Sequence, residues 1–175
     1  MTLTHLDAIR ERLPVVARDI ALNLQSVLMT STLSEPLRFG IAVAAATSTG
    51  SPALRDAALA DARENGATDA TIADAQAAAV LMAMNNVYYR FRHMIGKDLY
   101  GALPARLRMQ RLAKTEGPKA EFELMCLAVS AINGCENCVR SHEAVVLEGG
   151  LTTDQVHDAV RIAAVFVAAA TALTV

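Results

Sequence analysis

"LAVSAINGCENCVRSHEAVVLEGGLTTDQVHDAVRIAAV", residues 127–165, reads as three helices separated by two turns. Asn133–Gly134 closes the first helix, Gly149–Gly150 the second, and Thr152 or Thr153 caps the third. Residues 41–80, "IAVAAATSTGSPALRDAALADARENGATDATIADAQAAAV", give the same order of helix, turn, helix, glycine turn and helix. Ile41 falls on Leu127, Val43 on Val129 and Ala45 on Ala131. After a two-residue slip, Gly66 falls on Gly150, Thr68 on Thr152, Asp74 on Asp158 and Ala79 on Ala163. The pattern predicts an internal repeat, with copies at about 36–96 and 119–173. In this alignment Thr49, Pro52 and Asp56 stand where Cys135, Cys138 and His142 stand, so the thiols are an addition to one copy.

The flanking segments also read as helices. Leu3, Leu6, Ile9, Leu13, Val16, Ile20, Leu24 and Val27 recur at spacings of three and four, with Pro14 interrupting them. Ser34 and Pro36 mark a helix start, and a long helix runs from Thr68 or Asp69 to Gly96. Residues 100–120 are broken by Pro104, Gly117 and Pro118 and serve as a connection holding a short helix. No segment sustains the period-two alternation of a strand. The expected fold is all-α, a single helical domain of 175 residues. Apolar residues make up 53% but aromatics only 4%, the excess being alanine. Small apolar side chains permit close helix contact, and their surplus points to burial between subunits of an oligomer.

A net charge of −2 and the lack of any basic block give no reason to expect nucleic acid or an anionic membrane as partner. The longest apolar run, "IAAVFVAAA" (162–170), is too short to span a bilayer, and the N-terminus has no apolar signal core. The expected location is the cytoplasm, where structural disulfides are rare and a C-x-x-C reads as working chemistry.

Cys135 and Cys138 share a helix face, and His142 follows on the same stripe. Asn133 is placed to cap this helix, with Glu136 completing a capping box. A thiol at a helix start, in a C-x-x-C and beside a histidine has a depressed pKa. With a second thiol next to it, it can react with a peroxide through a sulfenic acid, or exchange with another disulfide. Helix position favours Cys135 as the attacking thiol and the histidine favours Cys138, so the sequence leaves this open. Two other readings compete: a metal site, which needs a fourth ligand although His5, His93 and His157 are scattered, and a pair of structural core cysteines. Cys126, in "FELMCLAV", reads as a core thiol, and His93 and His157 as residues on solvated faces.

"NNVYYRFRHM" (85–94), "LRMQRLAKTEGPKAEFEL" (107–124) and "LAVSAINGCENCVRSHE" (127–143) resemble the alkyl hydroperoxidase D family, a branch of the carboxymuconolactone-decarboxylase-like fold. The resemblance covers nearly the whole chain. It implies a helical subunit with an internal repeat, a homotrimer, and a cytoplasmic antioxidant role. It also implies a C-x-x-C that reduces organic hydroperoxides and regenerates a partner peroxiredoxin. No tightly bound cofactor or metal is implied. Electrons would come from a dihydrolipoamide-type dithiol, a lipoyl group on a 2-oxo-acid dehydrogenase component, recharged by dihydrolipoamide dehydrogenase. By position, Cys138 would form the sulfenic acid, Cys135 would donate a proton and resolve it, and His142 and Glu123 would be the relay that deprotonates Cys138. The family's best-known pattern has a histidine just before the second cysteine, where this chain has Asn137. An amide cannot shuttle a proton near neutral pH, which leaves the relay to Glu123 and His142. Two alternatives stand beside this reading. One is a disulfide reductase for a peroxiredoxin with little peroxidase activity of its own. The other is a non-catalytic helical module with structural or metal-binding thiols.

Overall fold

Pro14 cannot continue a helix, and the N-terminal amphipathic run breaks there into α1 (Thr4–Arg12) and α2 (Arg18–Met29), joined by a 3₁₀ turn at Val15–Ala17. The computed structural model describes residues 1–175 and contains helices and no strands. After α2 come α3 (Glu35–Ser48), α4 (Pro52–Glu64) and the long α5 (Asp69–Ile95). A connection containing the short α6 (Asp98–Ala102) and a 3₁₀ turn at Gln110–Ala113 leads to α7 (Lys119–Ile132), α8 (Glu136–Glu148) and α9 (Thr153–Ala172). The all-α, single-domain expectation holds.

Local chemistry sets most of the boundaries. Ser51 and Thr68 accept from the backbone N–H three residues on and so cap α4 and α5; Thr152 and Gln155 form a reciprocal capping box on α9. The two expected caps at Ser34 and Asn133 are not made. Cys135, not Asn133, is the residue that precedes α8, and Asn133 turns its side chain toward α5 instead. The first amides of α1 are capped from across the fold: Asp61 of α4 accepts from the N–H groups of His5 and Leu6 at 2.9 and 2.8 Å.

The core is built on α3 and α7, which pack against each other at the centre of the molecule. Every residue from Phe39 to Ala46 and from Phe122 to Ser130 is buried. Most of those on α3 are alanine or glycine, which is what lets neighbouring helices approach so closely. At Gly40 an added Cβ would lie 2.6 Å from the Met125 methyl. The helices form two triads, α3–α4–α5 and α7–α8–α9, whose second and third members wrap this pair, and α1 and α2 close the structure against α4 and α9.

The two triads have one register throughout. Each bound of α7 and α8, and the start of α9, equals the corresponding bound of α3, α4 and α5 plus 84. Gly50 and Gly134 both turn with positive φ (74° and 63°), a conformation that a side chain would strain. The alignment that set Thr49, Pro52 and Asp56 against Cys135, Cys138 and His142 is therefore displaced by two residues. The positions equivalent to the latter three are Ser51, Leu54 and Ala58. The slip arose because "IAVAAA" and "LAVSAI" can be matched in more than one way, whereas turn geometry fixes the register.

Candidate functional site

The thiols lie where α7 turns into α8. Gly134 makes the turn, the Cys135 N–H donates to the Ser130 carbonyl at 3.1 Å, and the sulfurs of Cys135 and Cys138 are bonded to each other. Cys135 is 1% exposed and Cys138 8% exposed, and only Cys138 lines the adjoining cavity. A buried amide fastens the turn from behind. Asn86 of α5 donates to Ser130 Oγ at 3.0 Å and accepts from Asn133 Nδ2 at 2.9 Å. The Arg90 guanidinium donates to the Asn133 carbonyl.

Glu123 projects from α7 and is 6% exposed. Its Oε2 lies 2.5 Å from Nδ1 of His142, and its Oε1 lies 2.6 Å from the Lys119 ammonium. Burial by itself would raise this carboxyl, but His142 and Lys119 outweigh it and hold Glu123 below the ordinary glutamate range. An ionised Glu123 fixes the proton of a neutral imidazole on Nδ1 and leaves Nε2 as the basic atom. His142 stands four residues past Cys138 on α8, and both face the same cavity.

That cavity has a volume of about 680 Å³. Asn137, Cys138 and His142 form one side, and Met82, Asn85 and Tyr89 of α5 the other. Met109 and Leu112, in the connection before α7, add apolar lining to it. The connection is tied down by buried Asp74. The N–H groups of Glu116 and Gly117 donate to its carboxylate at 3.1 and 2.8 Å, and Arg111 pairs with it at 2.5 Å.

A model of the carboxymuconolactone decarboxylase family matches residues 98–175, which include the thiols and both helices that carry the site. The chain is 62% identical to an alkyl hydroperoxide reductase AhpD of Anaeromyxobacter dehalogenans strain 2CP-1, over 98% of this chain and 91% of that protein. It is 49% identical to the protein of that name in Rhodopseudomonas palustris strain BisB18, over 91% of this chain and 88% of the relative. This chain belongs to the AhpD family. It is also 45% identical to an AhpD of Solibacter usitatus, over 91% of this chain and 89% of the relative.

In this AhpD-family chain the four residues singled out from sequence, Cys135, Cys138, His142 and Glu123, come together at one place. Glu123 is buried and paired, contrary to the solvated face that an isolated Glu suggests. Cys126 is fully buried in α7, and burial pushes its thiol far above the ordinary range, so it is inert beside the pair. His157 is exposed.

The sequence places His93 on a solvated face; it is half-exposed, and it also lines the cavity. Its Nδ1 is 3.1 Å from the Asn137 amide and its Nε2 is 3.7 Å from Glu136. Residues 85–94 carry part of the family resemblance, but sequence reasoning assigns α5 no place in the site. The signal was present: Asn85, Tyr89 and His93 recur every four residues, a polar stripe on a helix otherwise rich in alanine. One further group with converging ligand atoms, His5, Asp61 and Glu64, lies on α1 and α4, where Asp61 is already engaged by backbone amides.

Proposed function

We propose that this protein is a thiol-dependent alkyl hydroperoxide reductase in which Cys138 attacks the peroxide. The observation that carries the reading is the contact of buried Glu123 with His142 at 2.5 Å, one helical turn from the only thiol that lines the cavity. His142 Nε2 takes the Cys138 proton, and Glu123 stabilises the imidazolium that results. The Cys138 thiolate displaces alkoxide from the terminal oxygen of ROOH and becomes Cys138–SOH. Cys135 protonates the alkoxide to ROH, and its thiolate then attacks the sulfenic sulfur. The departing hydroxide takes the proton held on His142 and leaves as water. The sum is two thiols and ROOH giving a disulfide, ROH and H₂O.

A dithiol must then reopen Cys135–Cys138 by exchange, becoming a disulfide itself. We assign this role to a dihydrolipoyl group, carried on a 2-oxo-acid dehydrogenase component, and regeneration of a peroxiredoxin to the same thiol pair. No helix is long and apolar enough to cross a membrane, which fits work in the cytoplasm. A homotrimer is part of the proposal. Val80, Val87, Phe91 and Met94 lie exposed at heptad-like spacing along α5, a row suited to another copy of the chain. A second reading, a peroxiredoxin reductase with little peroxidase activity, is favoured by Asn137, which cannot relay a proton.

The test is NADH consumption by wild type and Cys138→Ser with lipoamide and dihydrolipoamide dehydrogenase, with and without tert-butyl hydroperoxide. Hydroperoxide-dependent turnover that disappears in the variant supports the first reading. Turnover that appears only once an oxidised peroxiredoxin is added selects the second.

A further inference from the structure

α5 carries two adjacent asparagines with opposite fates. Both amides of the Asn86–Asn133 contact are used, as described above. Asn85 is 4% exposed and lines the same cavity as Cys138, and its buried Oδ1 has no hydrogen-bond partner. A buried acceptor without a partner weakens the fold. The scaffold does not require it, because the equivalent position in the other triad is Ala169, which is fully buried. An unpaired amide in the wall of the cavity that Cys138 also lines is kept for a ligand.

We propose that Asn85 is the substrate-binding group of the cavity, its amide turning about the Cβ–Cγ bond so that Oδ1, otherwise closed off, accepts the O–H of the hydroperoxide. This rests on the hydroperoxidase reading above. The chemistry selects hydroperoxide over the reducing dithiol: ROOH brings a strong O–H donor, whereas a thiol is a weak donor and a disulfide has none. The hydrogen sits on the terminal oxygen, the atom that Cys138 attacks. Bonding it to Asn85 holds that oxygen toward the sulfur, with the O–O bond directed away. The same hydrogen stays on oxygen in Cys138–SOH, so the contact persists from bound substrate through the transition state to the sulfenic acid. Met82, Met109 and Leu112 then receive the alkyl group, which gives the cavity a preference for organic hydroperoxides over H₂O₂.

The experiment separates the two halves of the cycle in Asn85→Ala and Asn85→Leu. The first variant copies the residue of the other triad, and the second keeps the volume. With no Trp in the chain, thiol oxidation by tert-butyl hydroperoxide and by H₂O₂ is followed by quenched flow, alkylation and mass spectrometry. Reopening of the disulfide by dihydrolipoamide and the melting temperature are measured on the same samples. The expected result is a fall of about ten- to a hundred-fold in oxidation rate, the size of one lost hydrogen bond to a reacting group. Reduction by the dithiol should stay within about two-fold of wild type on the same scale, and melting should be unchanged or higher. Oxidation at the wild-type rate would overturn the proposal, and so would a parallel fall in both half-reactions, which marks a structural role. A wild type that hydroperoxide does not oxidise would instead overturn the hydroperoxidase reading itself, and this proposal with it.

Discussion

The triad α3–α4–α5 and the triad α7–α8–α9 share a register, yet one is filled with hydrocarbon where the other holds the site. Phe39, Leu54 and Ala58 are each fully buried in the first. Their equivalents in the second are Glu123, Cys138 and His142. Ser51 uses its hydroxyl to accept from Leu54 N–H, a cap between the residue preceding α4 and its third residue. Cys135 and Cys138 occupy those same two places and join by a covalent bond instead. The fold thus supplies a helix start with two side chains facing each other, and a position on the preceding helix that points at them. Whether that row is apolar or polar makes little difference to the backbone and decides the chemistry.

The strongest way to break this comparison is to write the first triad into the second. Glu123→Phe, Cys138→Leu and His142→Ala together should abolish hydroperoxide turnover. Thermal melting should stay at or above the wild-type temperature, because replacing a buried ionic pair by packed hydrocarbon is often neutral or stabilising. A misfolded triple variant, seen by circular dichroism, would show that the two rows are not interchangeable. Glu123→Gln alone asks less. It keeps the shape, removes the charge that supports imidazolium, and should lower kcat/KM for hydroperoxide by about a hundred-fold, with Cys138 still titratable.

Much of this was legible in the sequence, for a definite reason. Pro14, Gly66, Gly96 and the Thr68 and Thr152 caps act locally, so the helices they bound could be read directly. Cys135, Cys138 and His142 lie on a single helix start, so their proximity followed from spacing. Glu123 needed the family resemblance, since nothing local says that α7 turns that side chain toward α8. The α5 wall was not read at all, because Asn85 and Tyr89 meet the thiols only through packing between the two triads. The repeat register was misplaced for the opposite reason. Alanine-rich segments match one another too easily, and only the paired turns at Gly50 and Gly134 remove the ambiguity.

Asp74 and Asp158 are a pair of equivalent residues with a shared task. Asp74 of α5 accepts from Glu116 N–H, just before α7, while Asp158 of α9 accepts from Thr32 N–H, just before α3, at 2.6 Å. Each triad therefore pins the entry to the other. Asp74→Ala and Asp158→Ala should each destabilise the protein by about 1–3 kcal/mol, the loss of hydrogen bonds to a charged group, as read by urea denaturation. Only Asp74→Ala should also raise KM for hydroperoxide, because the segment it ties down supplies Met109 and Leu112 to the cavity wall. Equal kinetic effects would detach that segment from the site.

Acid should act unevenly on the two triads. Glu123 and Asp158, both in the second, are partly opposed by burial but are held below their ordinary values by His142, Lys119, Thr32 and Arg161. A carboxyl with a depressed folded pKa adds stability above its unfolded pKa and loses it as pH falls through the folded value. Their contribution to the unfolding free energy should therefore fall below about pH 4, the ordinary carboxylate range, against the opposite change from Glu121 and Asp61, which burial holds above their ordinary values. Glu123→Gln should flatten that slope, which urea titrations from pH 7 to pH 3 would measure.

The third helices are where the triads part in length. α5 runs from Asp69 to Ile95, whereas α9 stops at Ala172, equivalent to Tyr88. The additional turns of α5 carry Tyr89 and His93 along the cavity that Cys138 lines, whereas at the first triad's turn the chain past α9 supplies only Leu173 and Thr174. His93 meets Asn137 and Glu136 from the solvent side, and contacts of that kind contribute little, about 0–1 kcal/mol. His93→Ala should thus lower kcat/KM by about two- to five-fold and leave melting unchanged. A loss as large as that of Glu123→Gln would place His93 within the proton relay and make α5 a full partner in the chemistry. No loss at all would leave the relay wholly within the second triad, and α5 as the wall that receives the substrate.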